Sequence, residues 1–198
     1  MRPLLLVLVA ALVLILYLYE DTSHRSYPPG VLAPREPSQT LLAAGPTWRQ
    51  GKYSYTARAG FSMRARVLST ERYWFDGASA VSPIDFAVGW GRMSDQAVID
   101  QLGFGQTQRW YRYWPKGRQL PIPVQEMVSS SANMHMIPAD KAILKLLRSV
   151  RPGDLISLDG YLVQVSSDDG WRWNTSLTRT DTGNGACEIV WVKQLTIH

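Results

Sequence analysis

The chain has 198 residues, 45% of them hydrophobic, which is the range of one globular domain with short appendages. Its formal net charge of +5 is carried by interspersed residues with no basic run or tail, so a nucleic-acid partner is not expected. Eight tryptophans and nine tyrosines against four phenylalanines favour strands and half-wet surfaces, and point to a mainly β domain.

The first element is apolar. Residues 3–19, "PLLLVLVAALVLILYLY", carry no charge, follow Met1-Arg2 and meet Glu20 and Asp21. As a helix they would measure roughly 25 Å, close to the hydrocarbon thickness of a bilayer. A cleaved signal peptide would place small residues after the apolar run, where this chain has "YLYEDTSHRS". Residues 1–19 are therefore expected to be an uncleaved transmembrane signal anchor. Arg2 before the span and the acids after it put the bulk of the chain outside the cytoplasm of a bacterial inner membrane. A single cysteine suits an oxidising compartment, since it can form no internal disulfide.

Residues 20–47 contain Pro28, Pro29, Pro34, Pro37 and Pro46 and read as an extended tether. The extracytoplasmic domain is expected over 48–198. Tyr53 to Val67 alternates strictly, with Tyr53, Tyr55, Ala57, Ala59, Phe61, Met63, Ala65 and Val67 on one face and Arg58, Arg64 and Arg66 opposite. This predicts a long strand, bent at Gly60, with three arginines facing out. Residues 82–90 read as irregular, and Ser94 as the N-cap of a short helix to Leu102. In "QRWYRYWPKGR", 108–118, alternation places Trp110, Arg112 and Trp114 on one side of a strand and Arg109, Tyr111 and Tyr113 on the other. A second amphipathic helix is predicted over 138–150, with Pro138 in its first turn and Ala139, Ile143, Leu146, Leu147 and Val150 inward. The C-terminal part reads as a three-strand meander, with a break at Asp159-Gly160 and turns at 168–170 and 182–185. The fold class is thus a single β-barrel or rolled-sheet domain with two short helices.

Chemistry-bearing residues are few. No paired His or Cys spacing suggests a metal, no Gly-rich phosphate loop is complete, and Ser129-Ser130-Ser131 lacks the lysine of serine-lysine hydrolases. No cofactor is expected. Cys187 shares strand parity with Ile189 and Trp191, and the default for such a thiol is an inert place in the core. A reactive thiolate would need a histidine, and His24 lies in the tether while His198 ends the chain, which leaves His135.

The arrangement of an apolar span, a β-rich domain, a lone His135, "LLRSVRPGDLISLDGYLVQV" and then a lone Cys187 resembles the sortases, membrane-anchored cysteine transpeptidases, over roughly 130–193. The resemblance implies Cys187 as nucleophile, His135 as general base or ion-pair partner, and an arginine for the oxyanion. Ala186 stands where that family has threonine, and no arginine follows Arg179. Arg172 or Arg179 would have to supply the oxyanion contact. Lys193, six residues beyond the cysteine and roughly 20 Å along a strand, does not reach it.

The other reading is a binding surface. Arg109, Trp110, Arg112, Trp114, Lys116 and Arg118 interleave rings and cations that suit sugars or acidic partners. The leading expectation from sequence is a single-span, membrane-anchored envelope protein whose β-rich domain is a non-catalytic binding or scaffold module. Peptidoglycan or another envelope protein is its expected partner. The sortase-like cysteine transpeptidase or hydrolase is the alternative.

Overall fold

The computed structural model describes residues 24–178 and 187–198, with Val7, Val9, Ala11 and Leu12 of the N-terminal segment. Among the described residues no helix is long and apolar enough to cross a membrane. The expected anchor lies outside them apart from those four positions, and Arg179 and the turn at 182–185 lie outside them entirely.

The domain is mainly β. Its strands are β1 (Ser38–Leu41), β2 (Thr47–Gln50), β3 (Tyr53–Arg72), β4 (Ile84–Gly89), β5 (Leu102–Thr107), β6 (Trp110–Pro115), β7 (Ser131–Pro138), β8 (Leu155–Ser167), β9 (Arg172–Asn174) and β10 (Glu188–Ile197). Three α-helices, α1 (Gln96–Ile99), α2 (Val124–Ser129) and α3 (Lys141–Ser149), and a 3₁₀ turn at Gly91–Ser94 complete the described elements.

Strand β3 organises the sheet because its alternation is long enough to serve several neighbours. Strands β1, β2 and β4 pair with it in succession along one edge, and β8 takes the other. The chain of pairings β3-β4-β7-β10-β8 returns to β3 and closes a ring. The ring is not a true barrel; β10 runs parallel to β7, while its other pairs are antiparallel. Alternate residues fill it: Phe61, Met63, Phe86, Val88, Met134, Met136, Leu158, Leu162, Val190 and Val192 form one buried cluster, with Ile143 and Leu147 of α3 packed on it.

Several expectations change. The bulges in β3 fall between Ala57 and Ala59 and between Val67 and Ser69, not at Gly60. Arg58 and Arg64 face solvent, but Arg66 is fully buried, because a segment running from Arg25 covers that part of the strand. That segment was expected to be tether. Arg25 N instead donates to Pro152 O at 3.1 Å, its Nε meets Asp154 at 3.1 Å, and Ala33 is buried in the core. Residues 38–41 and 47–50 are sheet strands.

Residues 82–90 are not irregular, since Ile84–Gly89 is β4, buried along its whole length. Asp95, not Ser94, caps α1, accepting from Ala97 N at 2.9 Å. Pro138 ends β7, and Asp140 caps α3 through Ile143 N at 2.8 Å. Ile143, Leu147 and Val150 face inward as expected, while Leu146 is exposed. Helix α2 answers to no sequence expectation. In the C-terminal part β8 runs unbroken through Asp159-Gly160, and β10 pairs with β7 and β8 rather than beside β9. A parallel place beside β7 completes the ring, and a plain meander would leave it open.

Candidate active site

Because Phe86, Met134 and Val190 point into the ring, residues of opposite parity on β4, β7 and β10 point out of it. These are Asp85, Asn133, His135 and Ile189. The outer face is covered on one side by Leu68, Ala87, Met93, Leu102, Ile122 and Met127, against which Tyr111 and Tyr113 pack. On the other side lie Tyr55, Val163, Ile189 and Trp191 with Trp48, Trp171 and Trp173 over them. The polar residues occupy the seam between the two apolar patches.

Asp85 is the centre of that seam and has no exposed surface. It stands opposite His135 in the β4–β7 register. His135 Nδ1 lies 2.8 Å from Asp85 Oδ2, Arg109 Nη1 lies 3.1 Å from Oδ1, and Asn133 Nδ2 donates to Oδ2 at 3.3 Å. A carboxylate withdrawn from water is tolerated only with such partners. Asn133 also donates to Arg109 O at 3.1 Å and accepts from Gln106 Nε2 at 2.6 Å. Trp173 covers the imidazole, with ring centroids 4.6 Å apart.

Arg109 comes from the tip of the β5–β6 hairpin. Gln108 and Arg109 have φ of 50° and 65°, the two-residue turn whose usual occupants are Asn and Gly. Left-handed backbone costs residues with a Cβ about 1–2 kcal/mol each. The contacts of Arg109 offset this. Its guanidinium takes Asp76 with Nε at 2.7 Å and Nη2 at 2.9 Å and Ser82 O at 2.9 Å, while its N–H donates to Tyr73 Oη at 3.0 Å. It lies over the rings of Tyr73 and Trp173. The hairpin tip is thereby locked over the Asp85–His135 pair.

Burial pushes the Tyr73 phenol up, so it stays a neutral donor and acceptor at ordinary pH. The hydrogen bond from Arg109 holds the Asp76 carboxyl below its usual range. A carboxyl depressed in the folded state stabilises above its unfolded pKa near 3.9, and that contribution disappears as pH falls through the folded value. Asp76→Asn is therefore expected to lose about 1 kcal/mol at pH 7, the amount left to a part-exposed pair after solvent screening. Urea titrations of the two proteins should converge in acid; a gap that stays constant from pH 7 to below pH 3 would remove the ion pair as its cause.

Cys187 is partly exposed and immediately precedes β10. Strand β10 runs parallel to β7 with Ile189 opposite His135. Continued by two residues, that register brings Cys187 level with Asn133, on the same outward face as His135. The approach of the chain to this point is fixed by Ser176 N donating to Cys187 O at 3.1 Å and Ile189 N donating to Thr175 Oγ1 at 3.0 Å. No hydrogen bond joins Cys187 to His135 among the described residues.

The other residues singled out in the sequence separate. Arg172 is exposed on β9, with strand parity opposite to that of Trp173. Arg109 is drawn from the binding surface into the network. Trp110, Arg112 and Trp114 share the exposed face of β6, with Trp110 43% and Trp114 50% exposed. Trp114 lies against Gly103, where a Cβ would come within 2.3 Å of its ring. Arg118 is exposed, and Lys116 Nζ donates to Asp100 O at 3.0 Å. Among the described residues no group of three or more His, Cys, Asp or Glu side chains is placed to hold a metal ion.

Asp85, Asn133, Tyr73 and Trp173 are functional candidates that sequence reasoning missed. One signal was available, a single aspartate inside the otherwise apolar run Ile84–Gly89. Comparison of the chain with known protein families, with curated proteins and with solved structures finds no match.

Proposed function

We propose that the domain is a cysteine-dependent acyl-transfer enzyme, a transpeptidase or hydrolase, with Cys187 as nucleophile, His135 as general base and Asp85 as the group that orients the imidazole. The observation that carries this reading is the buried Asp85–His135 Nδ1 hydrogen bond on the strand beside the one that Cys187 precedes. With Nδ1 committed to a carboxylate, Nε2 is the nitrogen left to take a proton. In the reaction His135 Nε2 accepts the thiol proton and the sulfur attacks a carbonyl carbon. The C–N bond then breaks as the amine leaves with that proton, and a thioester remains. Water or a second amine attacks the thioester and gives a proton to His135; the C–S bond breaks to release the acid or amide, and His135 returns the proton to the thiolate. The reading requires the Cys187 thiol and His135 Nε2 to close to hydrogen-bond reach, directly or through one water, in the substrate complex. The apolar segment 3–19 supports a membrane-anchored enzyme whose domain faces the envelope of a bacterial cell.

A second reading is a non-catalytic binding module for peptidoglycan or an envelope protein. It is favoured by the flat exposed face of Trp110, Arg112 and Trp114, with Lys116 and Arg118 following in sequence.

The alkylation rate of Cys187 against pH separates the two. In the enzyme, native protein reacts with iodoacetamide with a titration well below the reference thiol value of about 8.5, and His135→Ala abolishes that titration. A thiol that reacts only after denaturation, or with the same profile in His135→Ala, would sink the catalytic reading.

A further inference from the structure

Arg66 lies away from the candidate active site, on the part of β3 covered by the segment from Arg25. Its residue has no exposed surface. Nη2 donates to Gln96 Oε1 at 2.9 Å and reaches Arg25 O at 3.4 Å, and the ring of Tyr27 lies 4.5 Å from the guanidinium carbon. Nε and Nη1 are buried with no hydrogen-bond partner. Burial lowers the pKa of the guanidinium, although it remains charged at any ordinary pH. Leaving a charged donor buried and unpaired is among the costlier arrangements available to a fold, and such a group marks a place where a counter-charge belongs.

The side chain lines a cleft of about 510 Å³ whose wall also includes His24, Arg25, Gln96, Asp100 and Lys116. Three cations, Arg25, Arg66 and Lys116, meet two carboxylates, Asp100 in the cleft and the buried Asp154, whose Oδ1 lies 3.1 Å from Arg25 Nε but makes no hydrogen bond. The cluster keeps a positive excess. Asp100 is committed to Gln96 Nε2 at 2.8 Å, and no carboxylate bonds Nε or Nη1.

We propose that this cleft binds a phosphate group, with Arg66 as its buried anchor and Arg25 and Lys116 at its rim. A planar guanidinium with free N–H groups is suited to phosphate oxygens, and a lysine adds a mobile point charge. Residues 24–26 form one wall, and because Arg66 has no exposed surface, direct contact with it requires the covering segment to shift. The phosphate has two chemical sources, a free phosphate or the diester of a lipid headgroup. The wall begins five residues after Tyr19, the end of the apolar segment, which brings a headgroup within reach if that segment spans the bilayer.

The test is thermal unfolding of the full chain in detergent at constant ionic strength set by chloride. One arm adds inorganic phosphate, a second adds short-chain phosphatidylglycerol below its micellar concentration, and acetate is the control. A saturable rise in Tm with either phosphate compound, absent with acetate and absent in Arg66→Met, supports the site. A rise confined to inorganic phosphate assigns the free anion, and one confined to the lipid assigns the headgroup. Should Arg66→Met fail to fold, Lys116→Gln at the exposed rim serves, and is expected to raise the half-saturating concentration about two- to fivefold. No rise with either phosphate, an equal rise with acetate, or an unchanged dose response in the variant that folds would overturn the proposal. Neither Arg66 nor Lys116 belongs to the Cys187–His135 reading, so the two proposals fail separately.

Discussion

Asp85→Ala is expected to cost the domain about 3–5 kcal/mol, read as a lower urea midpoint at unchanged slope. Three donors converge on this carboxylate from two places: Arg109 from the β5–β6 tip, and His135 and Asn133 from β7. Removal leaves the His135 ring nitrogen facing a void and leaves Arg109 with Asp76 as its remaining carboxylate. The loss is larger than the worth of the pairs themselves, because the buried Arg109 Nη1 and His135 Nδ1 are left without their partner. That origin is testable by a double-mutant cycle. Arg109→Met on top of Asp85→Ala should recover part of the loss, with a coupling of about 0.5–3 kcal/mol. Strictly additive losses would mean that Asp85 and Arg109 act as separate structural residues. Asp85→Asn keeps the shape and one acceptor, so it separates stability from chemistry. It is expected to retain most of the fold while losing the low-pH alkylation of Cys187.

What sequence could reveal of this site follows from how each strand is covered. Strand β3 was legible because one face meets the core and much of the other meets solvent, so Tyr53 to Val67 alternates. Helix α3 was legible for the same reason at a period of 3.6. Strand β4 was not, since both faces are buried and Asp85 interrupts the apolar run where a turn would also put an acid. Parity places Arg66 on the solvent face, and parity cannot register a distant segment that folds back over a strand. Cys187 and His135 could be paired by elimination among three histidines, but the group that orients His135 comes from β4, 50 residues earlier. Its partner Arg109 looked like part of an aromatic-basic surface, and only the left-handed turn at Gln108-Arg109 turns it inward. Periodicity reports which face a residue occupies; it does not report which strands become neighbours.

The neighbour relation that matters most, β10 between β7 and β8, depends on Gly160, and Gly160→Ala is expected to be the most damaging single-methyl change in the described sheet. Gly160 pairs with Phe61 of β3 on one side and Val192 of β10 on the other. A Cβ there would lie 1.9 Å from Trp191 O and 3.0 Å from Trp191 C, where β10 shifts register between Val192 and Gln194. These are backbone atoms of a buried strand, which cannot rotate aside as the end of a flexible side chain would. The added methyl must push β10 off β8, and the cost is expected at the upper end of overpacking losses, about 3 kcal/mol. Gly117→Ala, with nothing within 4 Å of the added carbon, is the control and should stay within about 0.5 kcal/mol of the native protein. The two changes also differ for the thiol. If Cys187 and His135 act together as proposed, displacing β10 at Trp191 moves the strand that Cys187 precedes relative to β7, so the pH profile of alkylation should flatten in Gly160→Ala and persist in Gly117→Ala. Equal stability of the two variants would show that β10 relaxes around the added methyl without strain.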